Sequence, residues 1–193
     1  MGMASKIEKC LVFSSRDLLA LFHRRACTAL MARYYRRHGM KIHGRPNYLS
    51  AKAWFDGTDY SQIELGEGCT ISSFVRVLTH DWSPYTIARG LGLKMERPIG
   101  VFRPVRIGPY AFVGTYSVLL PGADIGRGAV VGAGSTVRGK VEPWTIVVGS
   151  PAEPVGDSRD FLCHQLERMG RTDLLEQARR LMEEQALSGG KAQ

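Results

Sequence analysis

Apolar residues in the second half of the chain recur at a spacing of six. An aliphatic residue stands at every sixth position from Ile107 to Val137, and the same frame fits three positions from Leu65 to Val77. A period of six matches neither a helix nor a simple strand alternation, and hexapeptide repeats are typical of β-solenoids. The nine aliphatic positions are Leu65, Ile71, Val77, Ile107, Val113, Leu119, Ile125, Val131 and Val137. Small or compact residues follow four positions later at Cys69, Val75, Ala111, Ser117, Ala123, Ala129, Ser135 and Val141.

This repeat predicts a mainly β fold in which short strands point their aliphatic residues inward and the small residues let the chain turn. Successive coils stack at the strand spacing of roughly 4.8 Å, and each buries the apolar face of its neighbour. We predict three segments: a basic helical segment over residues 1–40, a β-helix domain over 41–157 with a long loop at 83–104, and a helical segment with a tail over 158–193.

The first 50 residues carry the whole charge excess of the chain. Residues 1–50 hold ten Lys or Arg against two acidic residues, which equals the net charge of +8 for all 193 residues. Ser14 with Asp17 is a candidate helix start, and Gly39 a candidate end. The segment is interpreted either as a lid on the open end of the solenoid or as a contact for an anionic substrate or a membrane surface. No nucleic-acid-binding motif accompanies the charge. Its predicted apolar stripe is Leu19, Phe22, Ala26, Leu30 and Tyr34.

The C-terminal segment has helix-like apolar spacing that Gly170 and Thr172 divide into two helices, and we expect the final SGGKAQ to be disordered. No apolar run reaches the roughly 18 residues of a membrane span, and because no short apolar region with a cleavage signal stands at the start of the sequence, we expect no signal peptide. The four cysteines are isolated in sequence, which favours a reducing, cytoplasmic location.

The repeat is interrupted between Val77 and Ile107, and such a long connection inside a solenoid is more often functional than decorative. His80 stands at the root of this loop and is the only histidine within the repeat region. Asp81 occupies a position that the frame assigns to a small inward residue. It either orients His80 or, if the chain has already left the solenoid, caps the loop. Trp82 and Tyr85 either wall an acceptor pocket or pack against another subunit.

Three stretches together resemble the hexapeptide acyltransferases, the left-handed β-helix enzymes that include galactoside, maltose, xenobiotic and polysaccharide O-acetyltransferases. They are VRVLTHDWS at 75–83, FVGTYSVLLPGADIG at 112–126 and VVGAGSTVRGKVEPWTIVVGSPAEPV at 130–155. The resemblance extends over about Ile42 to Val155. It implies left-handed coiling, a homotrimer, and acetyl-CoA as a donor that binds between subunits, with no permanently bound cofactor and no metal.

The same resemblance places the catalytic histidine at His80, whose imidazole would act as the general base in direct acetyl transfer to an acceptor. It also places Gly114, Thr115 and Ala133 at the CoA site, although corner geometry alone explains Gly114 equally well. Thr115 and Ala133 are three repeats apart and would therefore stack one coil apart. Basic residues that many relatives carry after GSPA are missing here, so the CoA phosphates are assigned to Arg138 and Lys140, with Arg159 as an alternative.

The resulting function is an acetyl-CoA-dependent O-acetyltransferase that acts on a sugar hydroxyl of a surface polysaccharide or its nucleotide- or lipid-linked precursor. Two alternatives remain open: an N-acetyltransferase of an amino sugar or small xenobiotic, and a non-catalytic trimeric scaffold. A carbonic anhydrase on the same solenoid needs several histidines for zinc, and the repeat region supplies only His80.

Overall fold

The hexapeptide frame folds into short strands that stack in three sheets, and every pairing in these sheets among the strands of residues 41–149 is parallel. Sheet A orders β1 (Lys41–Ile42), β4 (Ile63–Leu65), β9 (Val105–Ile107), β12 (Asp124–Ile125) and β15 (Lys140–Val141). Sheet B orders β2 (Tyr48–Leu49), β5 (Thr70–Ile71), β10 (Phe112–Val113), β13 (Val130–Val131), β16 (Thr145–Gly149) and β17 (Ala152–Asp157). Sheet C orders β3 (Trp54–Phe55), β6 (Arg76–Val77), β11 (Val118–Leu119) and β14 (Thr136–Val137).

The structure is a computed structural model that describes residues 3–189, apart from the side chains of 3–7, 9, 17, 18, 21 and 186–189. The remaining elements are two strands, five α-helices and a short 3-10 helix. They are β7 (His80–Asp81), β8 (Val101–Phe102), α1 (Met3–Phe22), α2 (Arg24–Arg37), α3 (Ser83–Gly90), α4 (Ser158–Arg168), α5 (Thr172–Gly189) and the 3-10 helix Tyr60–Gln62.

The chain passes through sheets A, B and C in turn, so each coil has three corners, named A–B, B–C and C–A after the sheets they join. All nine aliphatic residues of the frame point into the shared core and are at most 2% exposed. The small residues that follow them are buried as well. Burying an aliphatic side chain of this size stabilises a fold by about 1.5–3 kcal/mol, so the repeat supplies the driving force for stacking the coils. The predicted β-solenoid is confirmed.

The frame shifts near the end of the repeats, which the sequence analysis did not predict. Val113 pairs with Val131, the aliphatic residue three repeats further on. Ile125 instead pairs with Val141. The separation of these two residues in sequence is shorter than three repeats of six, because one corner of that coil is shortened. Val141 therefore occupies an aliphatic strand position of sheet A, and its assignment to a small corner position was wrong. The shortened corner is the C–A corner that contains Arg138.

Helix α2 packs on the first coil, as the lid interpretation predicts. Met31 and Tyr35 are at most 1% exposed and belong to the solenoid core, where the ring of Tyr35 lies 4.9 Å from that of Phe55. Gly39 follows the helix with a φ of +99°, which a side chain would disfavour, so its predicted role as the stop is confirmed.

Two details of the N-terminal prediction were wrong. Ser14 lies inside α1 rather than at a helix start, because α1 begins at Met3 and ends at Phe22; the side chain of its predicted partner Asp17 lies outside the described residues. The predicted apolar stripe assumed one continuous helix, but the break at His23 rotates the buried face. Phe22 is 72% exposed, and α2 buries Cys27 and Met31 instead of Ala26 and Leu30, whereas Tyr34 packs into the core and Leu19 packs against it, as predicted.

Part of the N-terminal charge is engaged within the protein. The Nε of Arg36 donates to the carbonyl oxygen of Ile42 (3.1 Å), and Arg37 pairs with Glu8 (3.4 Å). Arg24 and Arg25 are exposed. A contact of this segment with an anionic substrate or a membrane stays a prediction.

The chain forms two compact units, residues 1–155 and 156–193. In the second unit, α4 and α5 bury Leu166 and Leu175, and Arg179 bonds to Glu167 (2.8 Å). The break predicted around Gly170 is confirmed. Helix α5 continues to Gly189, further than predicted, and residues 190–193 of the tail lie outside the described residues.

Candidate active site

The long loop leaves the solenoid at the C–A corner through a two-stranded antiparallel ribbon. Strand β7 pairs with β8, so that His80 lies opposite Phe102 and Asp81 opposite Val101. Helix α3 occupies the first part of the loop. The ribbon holds His80 at the edge of the solenoid, where 24% of its side chain remains exposed. The imidazole is thus fixed by the fold and still accessible.

The partner of His80 is Asp56, which lies at the C–A corner of the preceding coil. A carboxylate oxygen of Asp56 accepts a hydrogen bond from Nδ1 of His80. The same oxygen accepts from the hydroxyl of Thr79 (2.7 Å) and from its backbone N–H (3.2 Å), and the other oxygen accepts from the N–H of Thr58 (3.1 Å). Asp56 is 2% exposed, so this network is buried and its geometry is tightly defined.

The electrostatics of Asp56 favour its ionised form. Burial by itself raises the pKa of this carboxyl, because it removes the charged form from water. The hydrogen bonds from Thr79 and Thr58 outweigh burial and lower the pKa of Asp56 to about 2. An ionised Asp56 accepts the Nδ1–H of His80, which leaves Nε2 as the acceptor nitrogen of the imidazole.

Asp81 does not contact the imidazole through its carboxylate. One of its oxygens accepts from the N–H of Ser83 (2.8 Å) and the other from the Ser83 hydroxyl (3.0 Å), at the start of α3. Asp81 is exposed, so the inward position that the frame assigned to it was wrong. These hydrogen bonds fit the loop-capping role that the sequence left open, and a role of Asp81 in orienting His80 stays a prediction. The Ser83 N–H, aided by its hydroxyl, lowers the pKa of Asp81.

A cavity of about 440 Å³ opens beside His80. Its apolar wall comes from the corners of neighbouring coils and from β8, and its polar groups are one imidazole, one carboxylate and two guanidinium groups. The lining residues are Leu78, His80, Asp81, Val101, Arg103, Leu120, Pro121 and Arg138.

Aromatic rings flank the imidazole. Phe102 stacks on His80 with ring centroids 6.0 Å apart, and Trp82 meets the edge of Phe102 at 5.3 Å. Trp82 is 42% exposed, so it has surface available for a second molecule. The hydroxyl of Tyr85 instead accepts from Arg89 within α3 (3.3 Å). Of the two predicted acceptor contacts, Trp82 therefore lies close to His80, whereas Tyr85 is oriented along its own helix.

The predicted donor residues lie at a different corner. Val113 and Val131 pair in sheet B, so Thr115 and Ala133, each two positions further on, stack at the B–C corner as predicted. Ala133 is exposed there, and Thr115 donates its hydroxyl to the carbonyl oxygen of Ser73 (2.7 Å). A Cβ at Gly114 would lie 2.6 Å from the backbone nitrogen of Ala133, so close packing between coils explains this glycine.

The residues assigned to the CoA phosphates are dispersed. Arg138 lines the His80 cavity at the C–A corner. Lys140 extends from sheet A and pairs with Glu142 (2.9 Å). Arg159, in the second unit, forms hydrogen bonds to both carboxylate oxygens of Asp157. The structure does not bring Arg138 and Lys140 to the Thr115–Ala133 corner.

Sequence reasoning missed two residues of this site, Asp56 and Arg103. Asp56 lies in the first coil, whose strands fall outside the nine-position frame. Phe55 pairs with Val77, and the chain between these two residues is longer than three repeats of six. Arg103 lies in the long loop, where the spacing defines no register. A search for a carboxylate at the C–A corner preceding His80 would have found Asp56.

No group of three or more His, Cys, Asp or Glu suited to a metal ion occurs among the side chains that the structure describes. In the described part of the chain, no helix combines the length and apolar character needed to cross a membrane.

Comparison with known proteins places the repeats in a described class. Residues 104–139 match the family model "Bacterial transferase hexapeptide (six repeats)". A "Putative acetyltransferase" of Schizosaccharomyces pombe is 29% identical over 119 residues, which cover 61% of this chain and 54% of that protein. A "Probable acetyltransferase" of Mycobacterium tuberculosis is 34% identical over 97 residues, covering 50% of this chain and 31% of that protein. The chain thus spans about half or less of the length of these relatives.

Among solved structures, galactoside acetyltransferase in complex with coenzyme A superposes with a TM-score of 0.56 at 16% sequence identity. The match covers 83% of this chain and 85% of that one, and it concerns the fold. Taken together, the family model and the relatives confirm the resemblance of this chain to the hexapeptide-repeat acetyltransferases.

Proposed function

We propose that this protein is an acetyl-CoA-dependent O-acetyltransferase that acts on a sugar hydroxyl of a surface polysaccharide or its precursor. One observation carries the proposal: His80 is oriented by the buried carboxylate of Asp56 and opens into a cavity at a corner of a hexapeptide-repeat solenoid. An imidazole held by a carboxylate on one nitrogen and accessible on the other is suited to general base catalysis. The names of the relatives and the CoA-bound neighbour support acetyl-CoA as the donor.

The reaction is a direct transfer. The acceptor hydroxyl attacks the thioester carbonyl carbon while Nε2 of His80 takes its proton, and the resulting imidazolium is stabilised by the ionised Asp56. The tetrahedral oxyanion collapses, the carbon–sulfur bond breaks, and the CoA thiolate leaves. The imidazolium then returns the proton, which neutralises the thiolate. No covalent acyl-enzyme is needed, and the charges balance at each step.

The two halves of this site lie on different corners of one chain, His80 at C–A and the Thr115–Ala133 pair at B–C. In a cyclic trimer, the B–C corner of one subunit can face the C–A corner of the next. We therefore propose a left-handed solenoid that assembles as a homotrimer, with CoA held along Gly114, Thr115 and Ala133 of one subunit beside His80 of its neighbour. The exposure of Ala133 at this corner supports a groove in which the pantetheine arm pairs with backbone groups.

The function is tested by incubating the protein with acetyl-CoA and matched acceptors, and by measuring products by mass spectrometry. We expect a mass increase of one acetyl group on glucose-type hydroxyl acceptors, with stoichiometric release of free CoA thiol. Exclusive modification of glucosamine, at its amine, would instead establish an N-acetyltransferase. Absence of both CoA binding and acetyl transfer would leave the non-catalytic scaffold as the function.

Replacing Ala133 with Phe is expected to abolish acetyl-CoA binding, because the bulky ring fills the groove at an exposed corner rather than in the aliphatic core. Calorimetric titration with CoA measures the loss, and light scattering checks that the variant remains a trimer. The control is Ala129→Phe, which places the same ring at a fully buried position and should unfold the protein. If Ala133→Phe unfolds while Ala129→Phe does not, the assignment of the corner is wrong.

A further inference from the structure

We infer that the acceptor carries a negatively charged oxyanion group, a carboxylate or a phosphate, which Arg103 and Arg138 bind beside the hydroxyl that His80 activates. The inference rests on the proposed function and narrows its substrate class. It depends on the lining of the His80 cavity and not on the charge of the N-terminal helices.

The position of Arg138 follows from the strand register. Val77, Leu119 and Val137 are aligned on three successive coils of sheet C. The residues that follow them, Leu78, Leu120 and Arg138, therefore stack at the C–A corner, and all three line the cavity. Because the coil is shortened directly after this point, Arg138 lies at a tightened corner on the same edge as His80.

Arg103 reaches the cavity from the other strand of the ribbon. Its backbone N–H donates to the carbonyl oxygen of Thr79 (3.0 Å), the residue that precedes His80. Its side chain passes over Gly122, where a Cβ would lie only 3.1 Å from Cδ of Arg103. The glycine therefore leaves space for the stem of Arg103, and the fold directs both arginines to the lining of one cavity.

The described side chains that line the cavity carry a surplus of positive charge. Among the lining residues, the two guanidinium groups are opposed by Asp81 alone, and both oxygens of Asp81 already accept from Ser83. The ionised carboxylate of Asp56 is buried behind His80, outside this lining, and is already engaged by His80 and Thr79. Arg138 attracts Asp81 from a distance, since it contributes to the lowered pKa of that carboxyl. The ion pairs found among the described residues involve other cations. Arginine presents a planar set of donors that matches carboxylate and phosphate oxygens, so an oxyanion is the complementary ligand.

The phosphates of CoA are a poorer fit to this pair. In direct transfer the acceptor hydroxyl lies at Nε2 of His80 with the thioester carbonyl beside that hydroxyl, and the whole pantetheine arm separates the thioester from the diphosphate. Arg103 and Arg138 share one cavity with His80 and therefore face the acyl and acceptor end of the reaction. This reassigns Arg138 from the donor to the acceptor.

The test compares three acceptors that share a glucose ring: glucose, glucuronate and glucose 6-phosphate. For the native trimer, kcat/KM should be higher for one or both anions than for glucose. Arg138→Met and Arg103→Met should each raise KM for the preferred anion by about 10- to 100-fold, as expected for the loss of a hydrogen-bonded charge partner. The KM values for glucose and for acetyl-CoA should not change. The separate anions distinguish a carboxylate site from a phosphate site.

The matched control is Arg127→Met, since Arg127 lies at the A–B corner over the ring of Tyr110 (5.2 Å), away from the cavity. It should leave all three acceptors unaffected. Equal losses for glucose and the anions, or a raised KM for acetyl-CoA, would overturn the inference, because the arginines would then serve catalysis in general or the donor.

Calorimetric titration of the two anions distinguishes this inference from the proposed function. Binding to the native protein that is lost in Arg138→Met supports the anion site even if no acetyl transfer occurs. Acetylation of glucose without detectable binding or preference for either anion refutes the anion site while the proposed function stands. If neither anion binds and no acceptor is acetylated, both are refuted.

Discussion

His80→Ala is expected to lower kcat by about two to four orders of magnitude, the range typical for removal of a general base. The residual rate comes from acceptor and donor held together without a proton acceptor. Because His80 is part of a surface ribbon and not of the aliphatic core, the variant should fold and bind CoA like the native protein. The measurement is steady-state kinetics with the acceptor found by mass spectrometry, together with CoA titration.

A second histidine provides the control for this experiment. His43 is also hydrogen-bonded to a carboxylate, that of Glu64 (2.8 Å), but its side chain is 62% exposed on sheet A. His43→Ala should leave kcat within a factor of about two, as is usual for surface substitutions. Native turnover in His80→Ala would remove His80 from the mechanism. Equal losses in both variants would indicate a structural effect instead.

Asp56→Asn is expected to have the second-largest effect, a fall in kcat of roughly one to three orders of magnitude with KM for acetyl-CoA unchanged. The amide removes the negative charge that stabilises the imidazolium and replaces an oxygen that accepts from Thr79 and His80. The imidazole then loses its defined tautomer and orientation. Kinetics across a pH series would measure the change.

Asp81→Asn is the matched control for Asp56→Asn, because Asp81 adjoins His80 in the chain but its carboxylate accepts hydrogen bonds only from Ser83 among the described residues. It should reduce kcat by less than about tenfold. If Asp81→Asn were the more damaging change, Asp81 and not Asp56 would position the base.

The carboxylate of Asp56 also links the stability of the fold to pH. The folded-state pKa of Asp56 is lowered from 3.8 to about 2, so the unfolded state binds the proton more tightly. The resulting stabilisation is fully present above about pH 4 and is lost as the pH falls towards 2, and it amounts to on the order of 2 kcal/mol. Acid unfolding of the native protein should therefore be steeper in this window than that of Asp56→Asn. Identical acid unfolding curves would show that the Asp56 network does not stabilise the fold.

Much of the solenoid could be predicted because the spacing of apolar residues within a short stretch of sequence defines each strand. Each aliphatic position such as Val113 or Val131 belongs to a repeat of six, and a strand with that spacing can bury its side chains only by stacking on a similar coil. His80 could be identified because a single histidine at the root of a long insertion stands out in sequence. The stacking of Thr115 on Ala133 followed from counting three repeats per coil.

The features of the fold and of the site that could not be predicted lie where the chain departs from the six-residue repeat. The first coil includes the 3-10 helix Tyr60–Gln62 and is too long for the frame, so the spacing predicts no register for Asp56. The shortening of the coil before Val141 could not be predicted from spacing, because an aliphatic residue suits either position. In α1 and α2, local apolar spacing was outweighed by the break at His23 and by packing on the first coil.

The repeating fold, the place of the inserted loop and the identity of the candidate base could all be read from the amino-acid sequence. The groups that surround that base became apparent only once the coils were stacked in three dimensions. Asp56 and Arg138 are far from His80 along the chain, and Arg103 lies at the other end of the loop. The stacking of the coils, together with the β7–β8 ribbon, brings these three residues to the corner that holds His80. The physical reason is that a hexapeptide spacing defines the direction of each side chain within its coil, whereas contacts between coils depend on coil length, which insertions and deletions change.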